Sequence, residues 1–248
     1  MSTSEIIVIV AVAAFAALLK SVTGMGYPLV LVPALALFID ITEAIVLVAP
    51  SNLVLNAQMS WGARAERNNA RTLRPFLAGG VVGSVIGALL LPVLPDRLLR
   101  LLLVGIIVLF LANRLRRKQR TESSDSSPAQ NDSLAPIVGG IAGVFQGAAG
   151  ISGPVVTPWF LSRRISVDAF VFAITFTFAL TGAVQLVVIA VGAQFGSQLL
   201  LGLALIPIVL LVVPLGSALR RRMKTSAFEN LVLLILAAAA ISLVVRML

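Results

Sequence analysis

The chain has no cysteine and no histidine. Without cysteine there is no disulfide, no thiolate nucleophile and no Cys-based metal site. Without histidine the commonest metal ligand and the usual near-neutral proton relay are missing. Charge is scarce as well: Asp, Glu, Lys and Arg make up 12% of 248 residues, and Ala169 to Leu219 is a run of 51 positions with no formal charge. No soluble domain of this length needs such a run. A bilayer core takes about 20 apolar residues per spanning helix, so the run crosses more than once. With 59% apolar residues and a mean hydropathy of +1.05, the chain reads as an all-α polytopic membrane protein with the lipid bilayer as its solvent.

The net charge of +9 is placed for orientation rather than for nucleic acid. Arg and Lys sit in short clusters between apolar runs, with no aromatic interleaving. If the loop Arg64 to Arg74 is put inside and the spans alternate, 15 of the 19 basic residues fall on the cytoplasmic side, as the positive-inside rule asks. Both termini then face the periplasm of a bacterial inner membrane. Met1 to Leu19 holds no Lys or Arg, so it lacks the basic region of a cleavable signal and reads as the first membrane helix.

Apolar runs and their breakers predict spans over Glu5 to Ser21, a short piece Pro28 to Ile39, then Glu43 to Ala63, Pro75 to Leu94 and Asp96 to Asn113. Arg114 to Ser133 is rich in Ser, Asp and Gln and reads as a flexible linker. The second half repeats the plan: Leu134 to Gln146, a break at Gly147 to Gly153, a short piece Pro154 to Ser162, then Val167 to Val191, Gln198 to Leu219 and Ser226 to Val245. The organisation is thus 1–113, 114–133 and 134–248. Gly24 and Pro28 recur 126 positions on as Gly150 and Pro154, while Asn52, Asn56 and Ser60 recur 125 positions on as Thr177, Thr181 and Gln185. Each triplet is spaced i, i+4, i+8 and makes a polar stripe on one helix face. An odd count of five elements per half makes the second half enter from the opposite side. Inverted repeats of this kind build many secondary transporters.

The breaks carry the chemistry. Irregular backbone at membrane depth is tolerated only where protein or a water-filled cavity satisfies it. Gly26-Tyr27-Pro28 and Ser152-Gly153-Pro154 each place Pro at a helix start. Two half-length helices would then aim their N-termini at the bilayer midplane and form an anion site. Lys20 stands just before the first break, opposite Gln146 in the repeat. It either snorkels to an interface or meets substrate. The stripe residues Asn52, Asn56, Thr177 and Thr181 either glue helices or line a polar path. Glu43 and Asp168 read as first-turn capping residues, Trp61 and Trp159 as interfacial anchors, and Gly79 to Gly87 as close helix packing. No catalytic motif, metal site or cofactor site is visible.

Gly150-Ile151-Ser152-Gly153-Pro154, and more loosely Gly24-Met25-Gly26-Tyr27-Pro28, resemble the TauE/SafE sulfite exporter family of membrane permeases. Its members carry duplicated halves, each with a stretch of the form G-x-G-G-G followed by a Pro-containing apolar helix. The first half here keeps two glycines and departs at Tyr27 and Pro28. The resemblance implies transport of small anions, notably sulfite, sulfonates and other organosulfur compounds. On that reading Lys20 supplies charge, the breaks Gly24 to Tyr27 and Gly150 to Gly153 bind oxyanion oxygens, and Gln146 with the polar stripes orients the ligand. A passive anion channel, a non-transporting membrane subunit and a homo-oligomer stay open at this point.

Overall fold

In the computed structural model the described residues are 3–24, 26–66, 73–120, 132–161, 163, 165–192 and 196–220. They are helical: α1 (Thr3–Thr23), α2 (Tyr27–Leu35), α3 (Ile41–Gly62), α4 (Arg74–Leu90), α5 (Asp96–Arg120), α6 (Ala135–Ala149), α7 (Gly153–Leu161), α8 (Val167–Val191), α9 (Gly196–Ala204) and α10 (Ile206–Arg220). The expected span Ser226 to Val245 lies outside the described residues.

Local rules account for most boundaries. Ser166 caps α8, its hydroxyl accepting from the Ala169 amide at 3.2 Å. Glu43 makes a different bond from the expected cap: its Oε1 accepts from Gln198 Nε2 at 2.8 Å and ties α3 to α9. The fifth helix runs past its expected end at Asn113 to Arg120, because Arg, Lys and Gln are good helix formers and cations suit a helix C-terminus. The expected continuous span Gln198 to Leu219 is broken instead: α9 and α10 meet at Leu205 with a bend of 40°. Pro207 explains it, since it offers no N–H and crowds the carbonyl of Leu203.

Helix α8 alone, over Asp168–Val191, is long and apolar enough to cross a membrane by length and composition among the described residues, and the bent α9–α10 pair qualifies as a unit. By length, α3 with 22 residues also reaches ~33 Å, its hydropathy lowered by its polar stripe. The nine-residue α2 and α7 span only about 14 Å each.

Helix pairing follows a recurring pattern. Contacts of α4 with α6 match those of α1 with α10, α4 with α8 match α3 with α9, and α3 lies on α8 at the centre. The α4–α6 seam is glycine against glycine: a Cβ on Gly139 would strike Phe76, one on Gly143 would strike Gly80, and one on Gly147 would strike Ser84. Residue numbers rise together, so these two helices run parallel. In contrast, the last turns of α3 (Met59, Gly62) share a cavity with the first turns of α8 (Asp168, Val171), while mid-helix Asn52 and Phe178 both meet Lys20. Helices α3 and α8 therefore pass each other in opposite directions.

Apolar and polar groups are distributed the opposite way from a water-soluble fold. Val82, Ile86, Leu89, Val187, Leu200 and Leu211 are exposed, whereas Lys20, Asn52, Asn56, Gln146 and Gln185 are buried. Such an arrangement suits a hydrocarbon solvent.

Candidate functional site

Both breaks are built alike. At the end of α1 the Gly24 amide donates to the Lys20 carbonyl at 2.7 Å, and at the end of α6 the Gly150 amide donates to the Gln146 carbonyl at 2.8 Å. Gly24 and Gly150 close their helices at φ +84° and +70°, the left-handed conformation that glycine adopts without a Cβ penalty. Gly26, at φ 114°, then redirects the chain into α2. The first turns of α2 and α7 thus start at the break, their leading N–H groups without intrahelical acceptors.

A small cavity lies where the breaks meet. Lys20, Gly26, Pro28, Asn52, Gln146, Gly150, Ile151, Ser152, Gly153 and Phe178 line it, together with Leu29. Its volume of about 20 Å³ holds about one water. A sulfur oxyanion has four or more heavy atoms, so the cavity must widen to admit one.

Lys20 is the charged side chain of this centre. It is 1% exposed, its Nζ donates to Asn52 Oδ1 at 3.0 Å, and it stands 5.1 Å from the Phe178 ring centroid. Such burial rules out snorkelling to an interface. Arg100 pairs with Asp96, and the partners of Lys20 among the described residues include no carboxylate. Opposite it, Ser152 Oγ donates to Gln146 Oε1 at 3.0 Å, Gln146 Nε2 donates to Gln185 Oε1 at 3.4 Å, and Gln185 Nε2 donates to the Gly147 carbonyl at 3.0 Å. The second break is therefore cross-braced by amides where the first has a cation.

Of the residues singled out from sequence, the cavity gathers Lys20, Gly26, Asn52, Gln146, Gly150, Ile151, Ser152 and Gly153. Gly24 is buried beside it without lining it, and Met25 lies outside the described residues. Tyr27 turns its hydroxyl to Ser51 Oγ at 2.9 Å. Asn56 stands one turn further along α3 and donates to the Asn52 carbonyl at 2.8 Å. Thr177 and Thr181 spend their hydroxyls on the carbonyls of Ala173 and Thr177, at 2.7 and 2.8 Å, as threonines in helices do. Phe178 is absent from the residues the sequence singles out, where its neighbour Thr177 stands out as the polar residue; an apolar position in an apolar helix carries no signal that a distant lysine packs on it. Trp61, 70% exposed, carries Arg64 over its ring at 4.7 Å, while half-buried Trp159 stacks on Phe76 at 6.0 Å.

Residues 9–243 match the family model of the sulfite exporter TauE/SafE. The chain belongs to the TauE/SafE family. Neither a curated protein nor a solved structure matches it. TauE/SafE proteins are membrane permeases, transporters of sulfite and organosulfur anions rather than enzymes. Membership covers both breaks and the elements that carry them.

Proposed function

We propose that this TauE/SafE protein is an inner-membrane exporter of small sulfur oxyanions, sulfite and sulfonates, which it binds between Lys20 and the two breaks. Lys20 carries the reading. A buried ammonium is costly unless paired, and this one has an amide oxygen and a ring for company but no carboxylate among the described residues. Its missing partner is an anion. Two helix starts at the same cavity add a partial charge of about +0.5 each. A cavity of only about 20 Å³ favours a carrier over an open pore.

The reading includes two five-element halves, 1–113 and 134–248, inverted in the membrane and joined by a cytoplasmic linker over 114–133, with both termini periplasmic. The parallel run of α4 and α6 and the opposed run of α3 and α8 support it, as does the basic bias of the loops.

The test is flux of labelled sulfite in proteoliposomes. Lys20→Ala should abolish most of it, while Lys20→Arg should keep a part, because the charge remains but its shape changes. Normal flux by Lys20→Ala at unchanged expression would overturn the proposal.

A further inference from the structure

A second and larger cavity, about 380 Å³, lies away from the breaks, between the last turns of α3, the first turns of α8, and α10. Gln58, Met59, Gly62, Val171 and Val213 are among its walls. Glu66 and Asp168 stand on its wall too, Asp168 exposed so that water and salt screen it.

Helix periodicity connects this cavity to the one at Lys20. On α3, Asn52 lines the small cavity and Met59 the large one, with Asn56 between them at i, i+4, i+7 on a shared face. On α8, Phe178 lines the small cavity and Val171 the large one, with buried Thr175 between them on a shared face. The two helices run in opposite directions, so both faces lead from one cavity to the other. Seven residues separate Asn52 from Met59, about 10 Å along the axis. One layer of side chains at the level of Asn56 fills that distance.

Asn56 is ill suited to a mere seal. It is fully buried, and its amide nitrogen donates to the Asn52 carbonyl and to Asn52 Oδ1, the same oxygen that Lys20 engages. Its own Oδ1 has no partner. A buried acceptor left unpaired is unfavourable, and an apolar residue would close the layer better. In a layer that a solvated anion crosses, the acceptor has a purpose: it meets the water or the protonated oxygen that travels with the ion.

We infer that the 380 Å³ cavity is the vestibule through which the anion passes between the Lys20 site and the membrane face bearing Arg64, and that Asn56 is the polar group on the barrier between them. This inference rests on the permease reading and adds its route. The chain's lack of cysteine provides a blank background for testing it. Met59→Cys is treated, in vesicles exposing the Arg64 face, with a membrane-impermeant, negatively charged maleimide. Excess reagent is removed and labelled sulfite flux is measured, with labelling checked by mass. Met59→Cys should transport before treatment and lose most of its flux after it. Val187→Cys, on the exposed side of α8, should keep its flux. Val171→Cys serves as the second vestibule position if Met59→Cys fails to fold. Complete labelling at the vestibule with flux intact would overturn the inference, as would labelling only from the opposite face. A parent chain that moves no labelled anion would overturn the permease reading itself, and the route with it.

Discussion

Gly83→Ala is the sharpest single test of the glycine seam between α4 and α6. A Cβ on Gly83 would press into the Gly140 carbonyl and come within 2.9 Å of Val144 N, where ordinary Cβ contacts begin at 3.4 Å. Both groups are backbone, so no side chain can swing aside and the helices must separate. Overpacking of this kind costs about 1–3 kcal/mol. For a chain of this size that lowers the melting temperature by roughly 2–12 °C. Gly140→Ala is the matched control in the same seam: its Cβ would lie 3.8 Å from the Gly79 carbonyl, an ordinary contact. It should melt close to the parent, helped by the better helix propensity of Ala, about 1 kcal/mol. Intrinsic fluorescence on heating the purified protein reads the difference, with Trp159 against Phe76 as an internal reporter. Equal melting of the two variants would refute the seam as drawn. Because Gly147 lies in the seam three residues before Gly150, Gly83→Ala should also lower sulfite flux.

Three more outcomes follow from the same geometry. Gly26→Ala should reduce sulfite flux more than Gly150→Ala, because Gly26 combines φ 114° with a Cβ that would lie 3.1 Å from Leu19 Cδ2, whereas Gly150 has no such close contact; left-handed backbone alone costs a non-glycine residue about 1–2 kcal/mol. Equal flux losses would show that the close approach to Leu19 adds nothing to the left-handed strain that both glycines share. Reporter fusions at Ser124 and Leu248 should read opposite sides of the membrane, and the same side for both would end the inverted arrangement. An imposed potential should drive labelled anion away from the negative compartment at constant pH without Na⁺, since each charge gains about 2.3 kcal/mol per 100 mV; flux that ignores the potential and demands a pH or Na⁺ gradient would reject uncoupled export.

Much of the site is legible in the amino-acid sequence because its parts obey local rules. Pro at a helix start and Gly at a left-handed helix end act within a few residues, so Gly24, Pro28, Gly150 and Pro154 mark the two breaks by themselves. The 51-residue uncharged run requires a membrane, and the repeated triplets identify α3 and α8 as equivalent helices. A helical stripe tells which residues share a face, but not what each side chain reaches. Thr177 and Thr181 are short enough to bond their own helix, while the longer Asn52 crosses to Lys20. Lys20 reads equally well as an interfacial cation until packing buries it against Asn52 and Phe178. The glycine seam's register needs neighbours too: Gly83 can permit contact, but only the facing helix decides what fills the space. Sequence determined the elements, their breaks and the polarity of each face, because these follow from backbone chemistry and hydropathy. Tertiary structure decided which polar groups share one cavity, because that depends on contacts between helices far apart in the chain.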